Sequence, residues 1–188
     1  QSGHIREVGF ELYQSMLEDA ILAAKAGDLG VVKERHALSP QITVDAPIMI
    51  PDDYVPDLAV RMALYRRLND AEDTAEIESL SAEMIDRFGP LPQPTANLIR
   101  LIQIKRQAIE ANIAKIDVGP KGTLVSFHND EFPDPSGLFA YAQRLEGTIK
   151  LRPDSKIVVV RAWGSAEARL NGLFQLTKWP IAIARKAR

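Results

Sequence analysis

The chain contains no cysteine. That excludes disulfides, thiolate nucleophiles and cysteine-ligated zinc, and it fits a reducing compartment. Apolar runs such as Ile157–Val160 and Ile181–Ala184 are far too short to span a bilayer, so no membrane anchor is expected. The three histidines, His4, His36 and His128, are scattered and lack metal-ligand spacing, so no metal is expected. Aromatic residues make up only 6% of the chain, with Trp163 and Trp179 near its end. A stacking platform for single strands interleaves aromatics with basic residues, and no such pattern occurs here. With a formal charge of −2, a large non-specific attraction to nucleic-acid phosphates is excluded, though a local basic patch is not.

Chemical motifs are equally sparse. Neither a GxxxxGK[ST] phosphate loop nor a GxGxxG is present. Gly119-Pro120-Lys121-Gly122 sits between two expected strands and lacks the following helix that would hold a phosphate. Gly164-Ser165-Ala166 is no nucleophile elbow, and a helix cap accounts for Ser165. Turn and cap chemistry accounts for Asp52, Asp53 and Asp57 more simply than a cation site does. No catalytic residue is assigned.

What is present is a well-mixed globular sequence of 188 residues, room for one ordinary domain with an appended helix. The opening Gln1-Ser2-Gly3-His4 has no methionine, n-region or h-region, and the chain is read as excised from a longer polypeptide. Val8 to Ala26 has helical spacing, stopped by Gly27, and residues 27–40 form a connector. Ile42, Val44, Ala46, Ile48 and Ile50 alternate with Thr43, Asp45, Pro47 and Met49. This predicts a strand, placed at an edge because Pro47 cannot donate to a ladder.

The turn Pro51–Asp57 leads into a helix with Leu58, Met62, Tyr65 and Leu68 on its inner face and Arg61, Arg66 and Arg67 off it. A second helix opens at a capping box, Asp73 with Glu76, buries Ile77, Leu80, Met84 and Phe88, and stops at Gly89-Pro90. A third spans about Gln93–Ala111, with Leu98, Leu101, Ile102, Ile109 and Ile113 inward.

The period then changes. Ile113–Val118 and Thr123–Phe127 predict a hairpin with a longer loop, and a short helix follows over about Ser136–Leu145. Thr148–Leu151 and Lys156–Trp163 predict two further strands. The end is helical from a Ser165 cap, broken at Trp179-Pro180, and basic in its last turn, Arg185-Lys186-Ala187-Arg188. The fold class expected is α+β: a leading helix, an edge strand and three sequential helices, packed with a small antiparallel sheet and a C-terminal helix.

One polar surface breaks a local rule. Glu83, Asp86 and Arg87 lie at i, i+3 and i+4, away from the apolar stripe. Asp86 falls in the last turn, where the helix dipole disfavours an anion by roughly 0.3–1 kcal/mol. An uncompensated violation marks a functional candidate. A solvated polar face with a local Glu83–Arg87 pair is the simpler reading, and the residues alone favour it.

The sequence also resembles a known family. Gln1–Ile5 followed by Val8-Gly9-Phe10-Glu11-Leu12-Tyr13 is similar to the end of the translocase motor of bacterial transcription-repair coupling factors. Ile50-Pro51-Asp52-Asp53-Tyr54-Val55-Pro56-Asp57, then Arg61 and Leu64-Tyr65-Arg66-Arg67-Leu68, looks like the opening of their C-terminal domain. Ile85-Asp86-Arg87-Phe88-Gly89-Pro90-Leu91-Pro92 continues it in register, and the likeness covers most of residues 1–128.

The resemblance implies that residues 1–36 are the tail of the motor with a linker helix, and 37–188 the C-terminal regulatory domain. Gln1 would be a remnant of the translocation motif. The family is an ATP-driven translocase on duplex DNA that acts on stalled RNA polymerase and recruits excision repair. Its ATP and Mg sites lie upstream, so this fragment is expected to hold no cofactor and to be no enzyme, in a cytoplasmic protein. The family's C-terminal domain folds back on a UvrB-like N-terminal module, masking the UvrA-binding surface and restraining the motor. By motif, that contact maps to Glu83, Asp86 and Arg87, which moves the reading of this surface to an interface. The alternative is a nucleic-acid-binding accessory module using Arg61, Arg66 and Arg67 or the basic tail. An enzyme with a dispersed site is a third possibility with no motif behind it.

Overall fold

The computed structural model describes residues 40–119, 121–132, 134–144, 147–152 and 156–186. The helix expected over Val8–Ala26, the connector after it, Gln1 and the 36/37 boundary lie outside the described residues. The fold is α+β, as expected, and it divides into two units. Among the described residues, one comprises 46–103 and the other combines 40–45 with 104 onward.

In the first unit the chain turns at Pro51, whose carbonyl accepts from the amides of Tyr54 and Val55 at 3.2 and 3.0 Å. Helix α1 (Leu58–Asp70) opens at Asp57, whose carboxylate accepts from the Val60 amide at 2.9 Å. Its buried residues are Arg61, Leu64, Tyr65 and Leu68. Two expectations fail here. Leu58 is 59% exposed, and Arg61, expected off the inner face, is only 8% exposed. The guanidinium is tolerated inside because its Nη1 donates to the Val55 carbonyl at 2.8 Å, satisfying a turn oxygen that burial would otherwise strand.

Helix α2 (Thr74–Phe88) buries Ile77, Leu80 and Met84, while Phe88 is half-buried. Asp73 caps it by accepting from the Glu76 amide at 2.8 Å. The Glu76 carboxylate reaches back one residue further than a standard capping box, to the Glu72 amide at 2.6 Å. Gly89 stops the helix at φ 90 and ψ −169, a region that is essentially glycine's own.

Helix α3 (Gln93–Glu110) begins in the first unit and ends in the second. Leu98, Leu101 and Ile102 are buried as expected, but Ile109 is 43% exposed. The buried stripe moves to Ile104 and Ala108, because the second half of the helix belongs to a different unit from the first. The first turns of α3 also explain why the expected Ile42–Ile50 strand is short. Thr95 Oγ1 donates to the Met49 carbonyl at 3.1 Å and Asn97 Nδ2 to the Pro47 carbonyl at 2.9 Å. Those groups are therefore lost to a ladder, and Ile48 and Ile50 are buried in the first unit instead.

Only β1 (Gln41–Thr43) remains of that strand. With β2 (Ile113–Gly119), β3 (Gly122–Phe127), β4 (Ile149–Leu151) and β5 (Ile157–Val159) it forms a sheet of order β1-β2-β3-β5-β4. β1 lies at an edge, as Pro47 implied, but it pairs parallel to β2, so the sheet is mixed and not purely antiparallel. The hairpin is tighter than expected: Gly119 pairs with Gly122, leaving two residues in the turn. β5 ends at Val159, four residues short of the expected Trp163.

Helix α4 (Pro135–Arg144) follows the hairpin. Helix α5 (Ala166–Leu176) is capped by Ser165, whose Oγ accepts from the Ala168 amide at 3.1 Å. Helix α6 (Lys178–Lys186) completes the described chain. The break falls at Thr177, two residues before the place that Trp179-Pro180 suggested. Pro180 has no amide for the Leu176 carbonyl, and it sits in the first turn of α6, where a proline is tolerated. The Thr177 hydroxyl lies 2.5 Å from Gln107 Oε1 and 3.0 Å from the Leu173 carbonyl, and can donate to either.

No helix among the described residues is long and apolar enough to cross a membrane. No group of three or more potential metal ligands occurs among them.

Candidate functional site

The rule-breaking surface of α2 is a built cluster. Glu83 Oε1 and Oε2 accept from Arg67 Nη1 and Nη2 at 2.9 and 2.6 Å, a bidentate pair reaching from the last turn of α1 to α2. Glu83 Oε1 also accepts from Arg87 Nη1 at 2.9 Å, one turn on. Two guanidinium groups on one carboxylate hold Glu83 well below its ordinary 4.5, at about 2. The hydrogen bonds from Arg67 contribute most, then that from Arg87, against an opposing desolvation. The same bond to Glu83 raises the Arg67 value.

This surface stays wet. The side chains of Arg67 and Arg87 keep 52% and 44% of their exposure, and Glu83 keeps 33%. The cluster carries one net positive charge, and Asp86 stands exposed beside it. Asp86 makes no ion pair with another described residue. Ile85, 46% exposed, adds an apolar contact point.

Behind these residues the helix end is fixed. The Arg87 guanidinium lies 4.8 Å from the centre of the Phe88 ring, a cation–π placement. Phe88 meets Tyr54 edge-on at 5.8 Å. The Tyr54 hydroxyl lies 3.1 Å from the Met84 carbonyl and 2.9 Å from that of Gly89, and can donate to either. Burial raises the Tyr54 value, keeping the donor protonated. The last turn, which carries Asp86 and Arg87, is thus held from both sides.

The structure brings together Glu83 and Arg87 as their spacing required and places Asp86 on the same exposed end. Sequence reasoning missed Tyr54 and gave Arg67 to the nucleic-acid alternative, not to this cluster. Arg67 lies 16 residues from Glu83, beyond any helical repeat, and only the antiparallel pairing of consecutive helices joined by a short connector could have signalled it.

Residues 44–138 match the family model of the TRCF domain. The chain belongs to the TRCF domain family. Curated relatives named transcription-repair-coupling factor include those of Rickettsia typhi, 38% identical over 86% of this chain, and Escherichia coli, 32% identical over 95%. The chain spans only 14% and 16% of the lengths of those two relatives. A crystal structure of the C-terminal domain of a transcription-repair coupling factor has the same fold, with a TM-score of 0.67 over 80% of this chain and 96% of its own, at 17% identity. Glu83, Asp86 and Arg87 all lie inside the stretch matched to the TRCF model.

Proposed function

We propose that this TRCF domain is the regulatory protein-binding region of an ATP-driven DNA translocase in transcription-coupled repair. Residues 37–188 dock on the UvrB-like N-terminal module of the same cytoplasmic protein, masking its UvrA-binding surface and restraining the motor. Residues 1–36 belong to the end of that motor. ATP and Mg are bound upstream, and this fragment uses no cofactor and catalyses no reaction of its own. RNA polymerase and duplex DNA act on it through the full-length protein.

The observation that carries this reading is the exposure of Asp86 and Arg87 on a helix end that is otherwise firmly held. An anion against the dipole is kept where it can meet a partner, and Glu83 orients the neighbouring cation. Exposed charges of this kind give orientation and on-rate while adding modest affinity, which suits a contact that must open on a signal. The nucleic-acid alternative is weakened in its helical form, since Arg61 is buried on the Val55 carbonyl and Arg67 is engaged by Glu83.

Calorimetric titration of the chain with the separately expressed UvrB-like module tests it. The wild type binds, and a Glu83→Ala, Asp86→Ala, Arg87→Ala triple variant binds at least about tenfold more weakly, the equivalent of ~1.4 kcal/mol. Undiminished binding by the variant moves the contact elsewhere. Absence of binding by the wild type, together with a salt-sensitive shift of duplex DNA, favours the nucleic-acid reading.

A further inference from the structure

A second feature of the molecule lies in the other unit, mostly C-terminal to the stretch matched to the family model. A pocket of about 420 Å³ opens between β5, α5 and α6, within the range of small-ligand and side-chain sites. Its lining includes Ala168 and Gly172 of α5 together with Trp163 and Trp179. Trp179 is stacked on Tyr141, with ring centres 4.7 Å apart and planes 11° apart.

Gly172 makes this shape possible. A glycine inside a helix costs about 1 kcal/mol against alanine. Here the indole of Trp163 lies so near the helix that a Cβ on Gly172 would collide with its Cε2, Cζ2 and Nε1. The missing side chain lets Trp163 lie against the helix backbone, while Trp179 is fixed by stacking. Both indoles nonetheless keep part of their surface open to solvent.

The pocket's one charged lining residue is Arg161. It is exposed, and its guanidinium makes no hydrogen bond or ion pair with another described residue. The remaining polar lining comes from neutral groups such as Asn171 and Gln175. We propose that this pocket is a protein-docking site that takes one apolar or aromatic side chain against Trp163 and Trp179, from an acidic segment whose adjacent carboxylate pairs with Arg161. An aromatic-lined concavity beside a single charge is the form of an interface hot spot. Nucleic acid fits less well, because a strand needs a row of cations for successive phosphates and this pocket supplies one.

The chain has only two tryptophans, and both line the pocket, so their indole N–H resonances report on it directly. The ¹⁵N-labelled chain is titrated into the millimolar range with acetylated dipeptide amides pairing Phe, Leu, Met or Pro with Glu, with the same set ending in Lys, and with adenosine monophosphate. At least one Glu-ended peptide shifts both indole signals, its Lys-ended counterpart binds several-fold more weakly, and Arg161→Ala removes that preference. Several outcomes overturn the proposal: no shift with any Glu-ended peptide, equal binding of Glu- and Lys-ended peptides, stronger shifts with the nucleotide, or indole shifts that follow protein concentration alone, which would assign the pocket to a second copy of the chain.

Discussion

Arg67 and Glu83 face each other across α1 and α2 through two hydrogen bonds of 2.9 and 2.6 Å. This fork-to-carboxylate geometry fixes both partners in plane, which a single contact between long side chains does not. Its consequence is positional: Glu83, held by Arg67, offers its Oε1 to Arg87 as well, and the pose of Arg87 depends on a residue from another helix. Arg67→Ala should therefore weaken the proposed docking to the UvrB-like module even though Arg67 is not among the three residues mapped to that contact. Calorimetry on that single variant checks this, and wild-type affinity would detach Arg67 from the site.

The same carboxylate predicts a pH dependence. Glu83 titrates at about 2 in the folded chain against an ordinary 4.5. A lowered folded value means that the stabilisation is complete above the unfolded value near 4.5 and is lost as pH falls towards 2. The stability gap between wild type and Glu83→Gln should be constant at neutral pH and should close across that acid window. Urea unfolding at a series of pH values measures the gap, and one that stays flat to pH 2 would contradict the Glu83 assignment.

Asp86 should trade stability for binding. It is an exposed anion in the last turn of α2, so Asp86→Asn relieves a dipole conflict of roughly 0.3–1 kcal/mol. The variant should melt slightly higher than wild type and dock less well. A variant that loses stability would show that Asp86 has a structural partner.

Tyr54→Phe removes only a hydroxyl, yet it leaves the Met84 and Gly89 carbonyls without that donor. The expected cost is about 1 kcal/mol in chemical denaturation, with faster amide exchange at Arg87 and Phe88. Gly89→Ala should cost roughly 1–3 kcal/mol from backbone strain alone, because nothing lies within 4 Å of the added Cβ.

Much of the architecture was legible because it is local. Asp57, Asp73 and Ser165 are caps whose acceptors bond an amide three residues ahead, and such signals survive without knowledge of the rest of the fold. The Glu83–Arg87 pair was legible for the same reason. What escaped depends on distant chain. The alternation from Ile42 to Ile50 is a faithful strand pattern, but its second half is claimed by Thr95 and Asn97. Arg61 looked like a surface cation until the Val55 carbonyl gave it an inward partner. Trp163 and Trp179 read as isolated aromatics near the end of the chain, and the interior glycine at 172 was the one local clue that something wide must lie against α5.

The parallel pairing of β1 with β2 has a consequence for how the chain comes into being. Gln41 leaves the ribosome long before its partner Lys115, and the whole of residues 46–103 is made in between. Until then Gln41–Thr43 has no ladder to join, and closing so long a loop carries an entropic cost that the earlier formation of α1 and α2 would reduce. The family match begins at residue 44, just past this strand. A fragment starting there would keep every helix of the described residues and yet leave the outer edge of β2 bare, an invitation to pair with a neighbouring molecule.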